Sequence, residues 1–180
     1  MKKLSILTCT MIALGFMATT VRAQNPHFLS CDVSGVNSNG TLSSDFRIAG
    51  LGSNVTITVT VSADASAVYA CLNHGQKCPS AANKSTVTGT VTAQGTFTSG
   101  KNGSVRGSLT VSPPPSTLTC PWGQNMVLVS VDYTNVSLSS SAGGTCDTSP
   151  GTFGANFFPQ CPYAKACKGS SGLVGPRRLL

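Results

Sequence analysis

The chain has 180 residues and a formal net charge of +7, but only 9% of its residues are charged. The excess positive charge lies near the two ends, because residues 24–158 contain five lysines and arginines and five aspartates. That region lacks the clustered basic face that nucleic-acid binding requires, so we expect no nucleic-acid partner. Its length suits one domain with a single core.

The first 23 residues are typical of a secretory signal peptide. Two lysines precede an apolar run over residues 4–20, and small residues surround Ala23. This run is about 17 residues long, at the lower limit for a membrane span, and no later segment is apolar enough to span a bilayer. We therefore expect cleavage before Gln24 and no membrane insertion afterwards. The mature protein is predicted to be secreted, with the periplasm as an alternative destination.

Alternation of apolar and polar residues, which is typical of half-buried strands, dominates the next part of the chain. The clearest strand places Val55, Ile57, Val59 and Val61 on one face and Thr56, Thr58 and Thr60 on the other. Further strands are predicted near residues 42–48, 86–97, 106–111, 126–133 and 152–158. The strongest later strand places Val127, Val129, Val131 and Tyr133 on one face.

Turn residues separate these strands. Asn39-Gly40 and Asn102-Gly103 each predict a tight hairpin, because both residue types accept positive φ angles. Loops are predicted over residues 71–79, 113–115 and 139–150, where Gly, Pro and Ser accumulate. About seven short strands of this kind predict an all-β domain over residues 24–158. We expect an antiparallel β-sandwich, immunoglobulin-like or related, with a β-barrel as the alternative.

Residues 159–180 differ from the domain in composition. They contain four lysines and arginines and two further cysteines, and they end in a Gly- and Ser-containing stretch. We expect a flexible basic tail here.

The cysteines predict disulfides, because the signal peptide indicates an oxidising compartment. We expect the bonds among Cys31, Cys71, Cys78 and Cys120, and prefer Cys31–Cys71 with Cys78–Cys120 among the three possible connectivities. The fate of Cys146 stays open. A zinc site formed by Cys71, His74 and Cys78 is the alternative, and the disulfide interpretation is the commoner one for cysteines that flank a polar loop. No metal or other cofactor is therefore expected.

The supply of catalytic acids and bases is poor. The sequence contains no glutamate, two histidines (His27 and His74) and five scattered aspartates. No serine lies in a Gly-x-Ser-x-Gly element, and no local spacing brings two carboxylates together. We expect a non-enzymatic protein, with a secreted hydrolase of unrecognised geometry as one alternative.

Two predicted loops carry the richest side-chain chemistry. Asn73, His74 and Lys77 lie in the Cys71–Cys78 loop, and Trp122 lies between Pro121 and Gly123. An aromatic residue in such a loop forms either an exposed platform or a cover for a neighbouring disulfide, and the second arrangement is commoner. These four residues are the predicted binding residues. Sequons for N-glycosylation, which matter in a eukaryotic source, occur at Asn39, Asn54, Asn83, Asn102 and Asn135.

Tyr69-Ala70-Cys71 resembles the tyrosine corner of immunoglobulin domains, in which a tyrosine precedes a strand cysteine by two residues. No tryptophan follows Cys31 at the position where immunoglobulin domains carry one.

A longer resemblance covers residues 25–158. It is carried by Asn25-Pro26-His27-Phe28, Ala49-Gly50-Leu51-Gly52, Cys71-x-Asn73, Lys101-Asn102-Gly103, Cys120-Pro121, Tyr133-Thr134-Asn135-Val136 and Gly151-Thr152-Phe153. These motifs resemble a family of small uncharacterised secreted proteins found mainly in bacteria. The resemblance implies a secreted β-domain and transfers no catalytic residue.

The function that we expect from the sequence is that of a secreted, non-enzymatic β-domain that binds an extracellular surface, polymer or protein partner. An inert structural exported protein, protected from proteases by its disulfides, is the second alternative beside the hydrolase.

Overall fold

The structure, a computed structural model, describes residues 25–73, 83–148 and 151–159. The expected all-β class is confirmed. The strands are β1 (His27–Val36), β2 (Leu42–Ala49), β3 (Thr56–Asn73), β4 (Lys84–Thr98), β5 (Val105–Val111), β6 (Gln124–Ser140), β7 (Thr145–Asp147) and β8 (Phe153–Asn156). The expected signal segment and the tail beyond Pro159 lie outside the described residues.

Two antiparallel sheets pack together as a sandwich. The first sheet has the strand order β1-β2-β5, and the second has the order β4-β3-β6-β7, with β8 also paired to β6. The 18-residue β3 is hydrogen-bonded to β4 on one side and to β6 on the other. Strand β5 lies against β3 and β4, whereas β1 lies against β7 and β8. No helix in the described part of the chain is long and apolar enough to cross a membrane.

The core lies between the sheets and follows the alternation of β3. Odd-numbered residues of β3 face the first sheet and are buried: Ile57, Val59, Val61, Ala63, Ala65 and Ala67. They pack against β2 and β5, chiefly against Leu42, Phe46, Ile48, Leu109 and Val111. The alternating threonines of β3 point to the other side, as the sequence predicts.

Phe46 and Phe97 join the two sheets near one side of the core. Their rings meet edge to face, with centroids 4.9 Å apart and planes at 86°. Gly107, opposite Phe46 on β5, leaves room for this contact, because a Cβ atom there would lie 2.4 Å from the Phe97 ring. An aromatic pair of this geometry contributes about 0.5–1.5 kcal/mol beyond the burial of its area.

A β-bulge changes the buried face of the second sheet. The β3–β6 register shifts between Val68 and Tyr69, and Val129 is the extra residue on β6. Beyond the bulge, a second cluster is buried on the opposite face, formed by Val68, Ala70, Leu72 and Val129 with Val127 and Phe158 packed against it. The sequence-based placement of Val127, Val129, Val131 and Tyr133 on one face is therefore wrong, because a bulge reverses the alternation.

One of the two predicted hairpins forms. The Asn39-Gly40 turn joins the paired strands β1 and β2. The turn at Asn102-Gly103 is also tight, with the Gly100 N–H donating to the Ser104 carbonyl at 3.0 Å. It connects β4 to β5 in the other sheet, so the hairpin predicted there is wrong. An Asn-Gly turn reverses the chain direction locally. Which strand β5 then pairs with depends on distant residues, and its partner is β2.

The disulfide pairing differs from the preferred connectivity. Cys31 of β1 is bonded to Cys146 of β7, and Cys71 of β3 is bonded to Cys120. Both preferred bonds, Cys31–Cys71 and Cys78–Cys120, are therefore wrong, because Cys31 and Cys120 have other partners. Cys78 itself lies outside the described residues. The two bonds close loops with sequence separations of 115 and 49 residues. In the chain-entropy treatment these loops contribute about 5 and about 4 kcal/mol to stability. Such bonds indicate an oxidising environment.

Two buried serines have opposite hydrogen-bonding states. The Ser44 hydroxyl is buried on β2 and has no hydrogen-bond partner among the residues that the structure describes. The Ser99 hydroxyl donates to the Gly52 carbonyl at 2.6 Å and accepts from the Val55 N–H at 2.9 Å. Because an unsatisfied buried hydroxyl lowers stability, Ser44→Ala should raise the free energy of unfolding by about 1 kcal/mol. Ser99→Ala should lower it by about 1–3 kcal/mol. Urea denaturation of both variants checks this, and an equal loss in the two would contradict it.

Tyr133 of β6 ties the second sheet to the β1–β2 turn. Its buried hydroxyl donates to the Gly40 carbonyl at 2.8 Å. Burial raises the pKa of Tyr133 above its ordinary value, and repulsion from ionised Tyr69 raises that pKa further. The unfolded chain then loses this proton more readily than the folded chain. The contribution of Tyr133 to the free energy of unfolding is consequently constant below about pH 10 and falls as the pH rises above that value.

Tyr133→Phe should lower the free energy of unfolding by about 1–3 kcal/mol near neutral pH, because the Gly40 carbonyl loses its donor. The further loss between about pH 8 and about pH 10.5 should be smaller in the variant than in the unmodified protein, since one raised phenol pKa has been removed. Urea midpoints at the two pH values measure both effects. An identical pH dependence in the two proteins would refute the role of Tyr133.

Candidate functional site

A tight turn precedes β6 and carries Trp122 at its apex. The Gln124 N–H donates to the Pro121 carbonyl at 3.1 Å, which closes a four-residue turn. Gly123, the third residue, has φ of +80°, whereas Trp122 has no positive φ. The signs of these φ angles are those of a type II turn, whose third residue has a positive φ and is therefore usually glycine. Trp122 occupies the second position and extends from the end of the sheet.

The indole of Trp122 is exposed to solvent. Its relative exposure is 102%, so it does not cover the neighbouring disulfide. Of the two arrangements considered from the sequence, the exposed platform is the one observed. Met126, four residues further on β6, is also exposed, at 44%. Two large apolar side chains therefore lie in solvent near the same end of the sandwich.

The chain leading to this turn is fixed to β3 at two points. The Tyr69 hydroxyl donates to the Pro114 carbonyl at 2.8 Å. Cys71, which is fully buried, is bonded to Cys120, with their Cα atoms 5.5 Å apart. The connector between β5 and β6 is thus held against the inner face of the β3 end that extends past the first sheet. Trp122 lies two residues after the second attachment, so its position is constrained.

Amide side chains adjoin the turn. Asn73, the last residue of β3, lies opposite Gln124 in the strand register. The Asn83 amide approaches the Gln124 side-chain oxygen at 3.5 Å. Sequence reasoning missed Gln124, Met126 and Asn83, because their proximity depends on the register of β3 and β6 and on the start of β4.

Of the four predicted binding residues, Asn73 and Trp122 lie at the same end of the β3–β6 pair. His74 and Lys77 lie outside the described residues. We call the surface formed by Trp122, Met126, Gln124, Asn83 and Asn73 the Trp122 surface.

The zinc alternative loses one of its ligands, because the Cys71 sulfur is bonded to Cys120 and is not a free thiolate. Within the described ranges, no group of three or more histidine, cysteine or acidic residues has the proximity that a metal ion needs. His27 is exposed, and its Nδ1 atom lies 2.9 Å from the Asn25 carbonyl.

The aspartates are less scattered than the sequence suggests. Asp32 and Asp45 lie directly opposite each other on β1 and β2, and both are exposed. Asp64 accepts hydrogen bonds from Asn135 and Thr90 at 2.9 and 2.7 Å. These bonds, chiefly that from Asn135, lower the pKa of the exposed Asp64 carboxyl. The Asp64 carboxylate therefore has a structural role, since it links β3 to residues of β4 and β6 on the outer face of the second sheet.

Comparison of the chain with protein-family models, with curated proteins and with solved structures found no match.

The positive φ of Gly123 gives a direct test of the turn. An added Cβ would meet no heavy atom within 4 Å at Gly123, and the same holds at Gly89 in β4, which has no positive φ. Gly123→Ala should therefore lower the free energy of unfolding by about 1 kcal/mol through backbone strain alone. The matched Gly89→Ala should leave stability unchanged or raise it slightly. Urea denaturation compares the two, and equal effects would contradict the type II turn.

Proposed function

We propose that this chain is an exported, non-enzymatic β-domain that binds an extracellular polymer, surface or protein through the Trp122 surface. The observation that carries the proposal is the full exposure of Trp122 on a turn that a disulfide fixes to the sheet. An exposed side chain of this size has unfavourable contact with water that a partner would relieve.

The energy available at this residue is large. Covering a tryptophan removes about 200 Å² from water, which corresponds to about 5 kcal/mol of gross hydrophobic stabilisation. Tryptophan is also among the residue types that most often dominate binding energies at interfaces. Because the Cys71–Cys120 bond already restrains the turn, little conformational entropy is lost when a partner binds.

The neighbouring side chains indicate the chemistry of the partner. Met126 adds apolar area, whereas Gln124, Asn83 and Asn73 offer amide donors and acceptors. These five side chains are uncharged, so a partner with apolar faces and many hydroxyl or amide groups suits them. Polysaccharides and glycan-bearing cell surfaces have that chemistry. Binding at this surface should change little when salt is added, because screening acts on charges.

Export is supported by the two disulfides, which indicate an oxidising compartment, and by the signal-like residues 1–23. The secreted location itself is part of the proposal. Mass spectrometry of the mature protein would test it, with cleavage before Gln24 as the expected result and a retained N-terminus as the contrary one.

Trp122→Ala tests the binding surface. The variant should lose at least about tenfold in adsorption to whichever of insoluble cellulose, chitin or peptidoglycan the unmodified protein binds, because the anchoring side chain is gone. Leu29→Ala is the matched control, since Leu29 is a 49% exposed apolar residue on β1. Both variants should keep the urea midpoint of the unmodified protein.

Fluorescence gives a second readout, because Trp122 is the single tryptophan of the chain. Its emission should be that of a hydrated indole and should shift to the blue when a polymer binds. Undiminished adsorption by Trp122→Ala would refute the role of this surface. Emission that stays unchanged with every polymer would favour the inert structural alternative.

A further inference from the structure

A row of outward-facing side chains crosses the three strands of the first sheet. Ser30 of β1 lies opposite Arg47 of β2, and Arg47 lies opposite Arg106 of β5. Directly opposed residues in an antiparallel pair have Cβ atoms about 4.5–5.5 Å apart. Two guanidinium groups therefore project side by side from neighbouring strands, an arrangement that like-charge repulsion disfavours.

Arg47 also carries an unsatisfied donor. The side chain is partly buried, and its Nε atom is buried without a hydrogen-bond partner in the part of the chain that the structure describes. A guanidinium presents five N–H donors in a fixed fork and stays charged at physiological pH. A buried donor without an acceptor lowers stability, the more so when it is charged. An oxyanion between the two arginines would accept from this donor and reduce their repulsion.

The row lies in a surface depression of about 540 Å³. It is lined by Ser30, Asp45, Phe46, Arg47, Arg106 and Gly107. Phe46 and Gly107 oppose each other and face the core, so they offer backbone to the depression. The depression is open to solvent, and its volume exceeds that of a single ion. It therefore has room for an organic molecule that carries an oxyanion.

A second, acidic row adjoins the arginines. Asp45 lies opposite Asp32, and its carboxylate accepts a hydrogen bond from Ser34, which follows Asp32 on the side away from Arg47. The depression thus has a basic side and an acidic side. This polarity orients a ligand, because its anionic group is attracted to the arginines while a second anion would be repelled by the aspartates.

We propose that Arg47, Arg106 and Ser30 bind the carboxylate, sulfate or phosphate group of an organic molecule whose other end donates hydrogen bonds to Asp45. The site lies on a different sheet from the Trp122 surface and does not depend on the function proposed for that surface. It also differs in salt response, because charge attraction at an open surface weakens as the ionic strength rises.

The experiment is an NMR titration that follows the arginine Nε–H signals, with inorganic sulfate and the monosulfated sugar glucose 6-sulfate as probes at constant ionic strength. The Arg47 and Arg106 signals should shift and saturate. Arg106→Gln should weaken sulfate binding about tenfold. Lys101→Gln, which removes the same charge from an exposed turn outside the depression, should leave binding unchanged.

Two further variants separate charge from geometry. Arg47→Lys keeps the charge but lacks Nε and the planar fork, so binding should still weaken about tenfold. Asp45→Asn removes a neighbouring negative charge and should strengthen binding of inorganic sulfate. The urea midpoint of Arg106→Gln should be unchanged or higher, because the repulsion from Arg47 is removed. If this variant fails to fold, Arg47→Lys and Asp45→Asn decide the question.

Shifts that do not saturate, or that saturate equally in Arg106→Gln, would overturn the site. Tighter binding of glucose 6-sulfate than of the free ion would support an organic occupant, because the sugar hydroxyls can donate to Asp45. Equal binding of the two would contradict that part of the proposal and assign the depression to small inorganic anions.

Discussion

Burial of one face of β3 is the constraint on which the rest of this structure depends. The strand is hydrogen-bonded to β4 on one edge and to β6 on the other. Its odd-numbered residues from Ile57 to Ala67 form the second sheet's side of the core. A slip of one residue would place threonines in the core and valines in water, so the register is strongly specified. That register in turn fixes where β4 begins, where Cys71 meets Cys120 and where β6 starts.

Strands β3 and β6 continue past the bulge at Val129, and there they carry buried residues on both faces. Beyond it, one face is covered by the β5–β6 connector and the opposite face by Phe158 over the second apolar cluster. An extension covered on both faces is stiffer than a free hairpin, which is marginal in water. The scaffold therefore presents the Trp122 turn at the end of a supported ribbon.

Local patterns in the sequence predicted six of the eight strands but not their partners. Strand β1 was missed, and β7 lies where a loop was predicted, because the alternation of apolar and polar residues is weak in both. The Thr-Val alternation of β3 and the Asn39-Gly40 turn predicted what forms, because both act within a few residues. The disulfide partners, the sheet change after Gly103 and the exposure of Trp122 depend on contacts between distant segments. Residues 30, 47 and 106 likewise meet only after β2 has paired on both sides. Contacts between residues so far apart in the chain leave no local pattern in a single sequence.

The Cys31–Cys146 bond has a mechanical consequence. It joins β1 to β7, so tension applied to the two ends of the chain is carried across the bond between the Cys31 and Cys146 sulfurs. The intervening strands lie outside this load path and are not stretched. Pulling can peel away only the segments that precede Cys31 or follow Cys146, and a cut in any loop between them leaves both pieces attached. The sandwich can therefore be pulled, or cut between these two cysteines, without its pieces separating.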